Sequence, residues 1–77
     1  MEITLRFHGR LTELFEQKER TIQMDVRTAE ELRQALDGMD ERFRESSYQL
    51  AQNNSIIHGK DDLTTQAIDV FPPFSGG

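Results

Sequence analysis

The chain closes on Phe71-Pro72-Pro73-Phe74-Ser75-Gly76-Gly77. Two successive glycines carry no Cβ, so such an end can enter a channel too narrow for any other residue, in almost any backbone conformation. Inside a fold a terminal glycine pair adds only disorder. It is useful where a terminal carboxylate must be reached and turned into an acyl donor. Near pH 7 that carboxylate is ionised, with a pKa of ~3.5, and is a poor acyl donor until a good leaving group is attached to it. Gly77 is therefore the expected carrier of the reacting group, and Gly76 the source of steric clearance. Pro72 and Pro73 stiffen the base of the tail and lower the entropy of ordering it. From residue 72 to 77 the tail reaches up to ~20 Å at ~3.3 Å per residue, enough to bury its end in a partner while the body stays outside. A flexible terminus that happens to end in glycine is the plain alternative. An aromatic-Pro-Pro-aromatic lead-in is unlike the composition of a disordered tail.

Other chemistry-bearing residues give weaker patterns. His8 and His58, with Asp61 and Asp62 nearby, have no metal-ligand spacing and read as exposed histidines beside a solvated turn. No metal is expected. Glu13, Glu16, Glu19, Glu30 and Glu31 read as solvated helix faces and caps that would suit a basic partner. Phe71 falls on the face opposite Ile68 and Val70. It is either an exposed interface anchor or a ring packed under the short helix at residues 11–15. Phe74 lies beyond the last strand and reads as an interface anchor. Together with Pro72, Pro73 and Ser75 these two aromatics form the expected partner interface.

Positioning such a tail falls to a small body. The chain has 77 residues, 35% of them hydrophobic, which allows one modest core. A domain of this size buries only roughly 60% of its unfolded surface. Nine Lys+Arg against 14 Asp+Glu leave a net charge of −5. That argues against nucleic acid and anionic membranes, which select clustered positive charge. There is no cysteine, so no disulfide and no thiol nucleophile in this chain. No apolar run approaches ~18 residues, and the N-terminus opens on a strand-like pattern instead of a signal peptide, so the expected location is cytoplasmic.

Ile3, Leu5 and Phe7 alternate with polar residues as in a half-buried strand. After Gly9, Leu11, Leu14 and Phe15 fall at helical spacing with one shared apolar face. Ile22, Met24 and Val26 alternate again and predict a second strand. Thr28-Ala29-Glu30-Glu31 is a capping box, in which Thr28 accepts from the amide of residue 31 and Glu31 reaches back to the amide of Thr28. Ala29, Leu32, Ala35, Leu36 and Met39 mark the face of the main helix, with Gly38 as a stop near its end. Residues 40–47 read as a turn or one loose helical turn. Strands follow at 48–52 and 55–58 around an Asn53-Asn54 turn, and Leu63 plugs the core. The last strand covers 67–71, where Pro72-Pro73 ends it. The order β, short α, β, α, β, β, β predicts an α+β fold, one sheet wrapped around the helix at 29–39. Residues 1–71 form the domain and 72–77 the tail.

These residues resemble the ubiquitin-like β-grasp sulfur carriers, the ThiS and MoaD proteins. Ile3-Thr4-Leu5-Arg6-Phe7 with Leu11-Thr12-Glu13-Leu14 is similar to the family's first strand and short helix. Thr28 to Leu32 resembles its helix entry, and Leu50 to Asn54 with Leu63 its strand, turn and loop. Val70 to Gly77 resembles its tail, and the Pro-Pro resembles the small subunit of molybdopterin synthase (the MoaD family) more than the thiamin carriers. His8-Gly9 stands where the family often has a small residue, and Thr64 to Ala67 where it often has an acidic, glycine-containing turn. The resemblance implies a mixed sheet around one main helix and a carrier that is not a complete catalyst. It also implies two partners, a ubiquitin-activating-like adenylyltransferase, which uses ATP, and the large subunit of molybdopterin synthase. Gly77 would become an adenylate and then a thiocarboxylate, with no cofactor bound by the carrier itself. A ubiquitin-like protein modifier, joined to a lysine through Gly77, and a sulfur carrier for thiamin or cysteine synthesis share the same tail. A plain binding module with an idle tail is the remaining alternative.

Overall fold

The computed structural model describes residues 1–73. Strand β1 (Glu2–Phe7) leads into helix α1 (Arg10–Phe15), followed by β2 (Glu19–Gln23), α2 (Ala29–Met39), α3 (Glu41–Glu45), β3 (Gln49–Gln52), β4 (Ser55–Ile57) and β5 (Ala67–Phe71). The strands form one mixed sheet in the order β2-β1-β5-β3-β4. β1 and β5 run parallel at its centre, and the other pairs are antiparallel. The α+β architecture expected from the pattern is the one observed.

Register decides which face is core. Leu5 lies opposite Ile68, Phe7 opposite Val70, and Val70 opposite Leu50. All of these are buried, and Leu32 and Leu36 of α2 are buried with them. Because side chains alternate with period two, the partners of Arg6 and Gln49 (Asp69 and Phe71) point to the other face. The end of β5 therefore carries an inward Val70 and an outward Phe71.

Local chemistry explains most element ends. Thr28 Oγ1 accepts from Glu31 N at 3.2 Å, as the capping box requires. The return bond differs: the Glu31 carboxylate accepts from Arg27 N at 2.8 Å, one residue before the amide expected. Gly38 does not stop α2, which runs to Met39. Asp40 ends it by turning to extended backbone, and its side chain then caps α3. The stretch 40–47 therefore holds a short helix, with Phe43 2% exposed. Phe43 sits 4.5 Å from Phe15 and 5.4 Å from Tyr48, ring centre to ring centre, within an aromatic cluster that includes Phe7.

Three further expectations are corrected. Leu14 is 40% exposed, because α1 turns only Leu11 and Phe15 inward. Met39 is 38% exposed, at the end of its helix where the core has already curved away. The second strand occupies 19–23, earlier than the Ile22-Met24-Val26 alternation placed it. Its pairing with β1 fixes the position, and only Met24 N continues it, donating to Met1 O. The Asn turn holds: Asn53 and Asn54 have φ of 50° and 64°, which a two-residue hairpin between Gln52 and Ser55 requires.

Candidate functional site at the root of the tail

Since β5 is parallel to its neighbour β1, both strands end on the same edge of the domain. Phe71, Pro72 and Pro73 therefore leave the sheet beside His8 and Gly9. All three are half-buried. Phe74, Ser75, Gly76 and Gly77, expected to form the interface and the reacting end, lie outside the described residues.

Phe71 is half-buried on the outward face of β5. Its ring stacks on the His8 imidazole, with centroids 4.4 Å apart and planes 14° from parallel. His8 Nε2 lies 2.9 Å from Asp69 Oδ1. The histidine expected to be simply exposed is thus half-buried between two side chains of β5, while His58 is exposed as expected. Sequence spacing gave no sign of this, because the partners lie 61 residues apart. The signal that existed was the shared outward parity of residues 69 and 71.

The backbone adds two contacts. His8 N donates to Val70 O at 3.0 Å. Gly9 has φ +58°, and a Cβ placed there would come within 3.2 Å of the Pro72 ring. Glycine is needed here both for its backbone angle and for close approach. Pro73 then lines a shallow groove together with Leu11, Leu14 and Ser46.

The outward face next to this root carries Arg6 and Asp69 and, beside them, apolar side chains. Ala51 pairs with both Asp69 and Ile56, and Ile56 is 43% exposed. Phe71, Ala51 and Ile56 thus share one face beside the tail. Among the described residues no group of three His, Asp or Glu side chains is placed to hold a metal. No helix among them is long and apolar enough to cross a membrane.

The ThiS family model matches residues 5–77, almost the whole chain and all of the tail. The chain belongs to the ThiS family. It is thereby of the ubiquitin-like sulfur carrier/modifier type. A solved structure, SAMP1 from Haloferax volcanii, superposes with a TM-score of 0.73 at 17% sequence identity, covering 100% of both chains. At that identity the likeness concerns the fold alone, a ubiquitin-like one. No curated protein matches the chain. Within this ThiS-family chain, the edge where β1 and β5 both end is the place where the body meets the Gly-Gly tail.

Proposed function

We propose that this chain is the sulfur carrier of molybdopterin synthase, its small subunit, and that it delivers sulfur from a thiocarboxylate on Gly77. The observation that carries the reading is the run Phe71-Pro72-Pro73-Phe74-Ser75-Gly76-Gly77 directly after the central strand β5. Family membership supports the carrier role, and the Pro-Pro supports the molybdopterin branch. The carboxylate of Gly77 attacks the α-phosphorus of ATP on an adenylating partner, giving an acyl-adenylate and pyrophosphate. Hydrosulfide from a sulfur donor then attacks the carbonyl carbon, expels AMP and loses its proton, leaving the thiocarboxylate. The carrier supplies no acid or base to either step. It supplies position: a rigid sheet edge, two prolines that limit the tail's freedom, and two glycines that pass a narrow channel. The large subunit docks on the face carrying Phe71, Ala51 and Ile56, with Phe74 as the aromatic anchor beyond it.

Incubation with the adenylating enzyme, ATP and a sulfur donor, followed by intact-mass measurement, tests the proposal. The expected product gains the mass of one oxygen exchanged for sulfur, and loses that sulfur when the large subunit and a pterin precursor are added. A loaded carrier that keeps its sulfur with those two present, but yields it to a thiamin precursor, would move the chain to the thiamin branch. Lysine conjugates in place of a mass gain would make it a protein modifier.

A further inference from the structure

His8 and Gly9 hold four consecutive residues at the point where the chain leaves the sheet. The Asp69 carboxylate pairs with His8 Nε2 at 2.9 Å. The Val70 carbonyl accepts from His8 N at 3.0 Å. The Phe71 ring lies flat on the imidazole at 4.4 Å. The Pro72 ring lies close to Gly9, where a Cβ would come within 3.2 Å of it. A side-chain pair this open to water, with the two partners 40% and 22% exposed, adds little to stability. Four different contacts, one on each of four successive residues, fix the path of the chain there.

We propose that His8 is a positioning residue that clamps the root of the tail and sets the direction in which the chain leaves the sheet at Pro72 and Pro73. Asp69 fixes the ring's orientation through Nε2, and the ring in turn fixes Phe71. Since residues 72 and 73 are both proline, φ at each is held near −65°, so a direction set at Phe71 is passed outward with little loss. The clamp lowers the entropy lost when the tail threads a partner. It acts on encounter and entry. Once threaded, the tail takes its geometry from the channel. The consequence for turnover rests on the carrier reading above, but the clamp itself does not.

Two measurements on the full chain separate these. The first is backbone order of the Phe74 and Ser75 amides by ¹⁵N relaxation, in wild type, His8→Ala and His8→Phe, with no partner present. The second is ATP–pyrophosphate exchange by the adenylating enzyme as carrier concentration is varied. His8→Ala is expected to lower order at both amides and to raise the carrier's KM about two- to tenfold, the range of one aromatic pair, with kcat unchanged. His8→Phe keeps a flat ring for Phe71 and is expected to restore most of both, which a general loss of stability would not. Unchanged amide order in His8→Ala overturns the clamp. Lower order with an unchanged KM overturns its role in presenting the tail. If wild type supports no exchange, the carrier reading falls and the relaxation data alone judge the clamp.

Discussion

Asp40 serves two helices at once. Its N–H donates to Leu36 O at the end of α2, and its carboxylate accepts from Arg42 N at 2.9 Å at the start of α3. The Arg42 guanidinium closes on the same carboxylate at 2.7 Å. These bonds to Arg42, side chain first and backbone second, hold the Asp40 carboxyl below its ordinary 3.8, at about 2. The folded value is depressed, so the contribution is present above pH 3.8 and lost as pH falls from there through about 2. Asp40→Asn is expected to flatten the acid limb of a melting-temperature profile in that window while lowering stability near neutrality. An unchanged acid limb would show that the bonds to Arg42 persist in the unfolded chain. Burial, and then the bond donated to Asp37, pushes the Tyr48 phenol upward, so Tyr48 stays neutral at any physiological pH. At Gly76 the expected effect is functional. Gly76→Val should slow ATP–pyrophosphate exchange strongly and leave the melting temperature unchanged, because a branched side chain overlaps a packed channel. Exchange at the wild-type rate would mean a wide channel and no role for the glycine pair.

Among the elements, the β3–β4 hairpin depends on more than its turn. Gln52, 8% exposed, donates from Nε2 to Asp62 O at 2.7 Å and accepts from Thr64 N at 2.9 Å. One amide thus imitates a short strand and holds the 62–64 loop, with Leu63 turned toward the core. Gln52→Ala removes the partner of a carbonyl and of an N–H at a part-buried site. It is expected to cost about 1–3 kcal/mol in urea unfolding. A cost under a few tenths would mean that solvent replaces both bonds. The Asn turn and the helix entry at Thr28 were legible in the sequence because they depend on neighbours within four residues. Gln52 was not, because a polar residue inside a strand reveals its task only when its distant partner is known, and here the partners lie ten and twelve residues on. Helix α3 was legible only as one of two alternatives, a turn or one loose helical turn. Five residues with one apolar side chain carry no periodicity, and α3 stands because Phe43 fills the aromatic cluster and Arg42 reaches Leu14 O and the Phe15 ring.

At the scale of the whole molecule, body and tail are separable in energy and joined in geometry. The buried core comes from strands and helices within residues 3–70, and β5 stops at Phe71. Removing Gly77, or adding a residue after it, is expected to abolish sulfur loading while the thermal melt stays as in wild type. The reacting carboxylate has to lie at a fixed number of residues from the sheet edge. A truncated chain that still gains sulfur by intact mass would overturn the thiocarboxylate proposal.

Period-two and helical spacing, the capping box and the Asn pair were enough to specify an α+β fold around the helix at 29–39, because hydrophobic patterning and local hydrogen bonds need only nearby residues. The tail's composition alone pointed to an activated carboxylate. Tertiary structure decided beside which residues that tail leaves the sheet and what contacts its root. Parallel pairing of β1 with β5 brings His8 and Gly9 against residues 69–72, across about sixty positions of chain. No local pattern encodes that meeting, since it follows from strand order and register, which the buried face of the whole sheet selects.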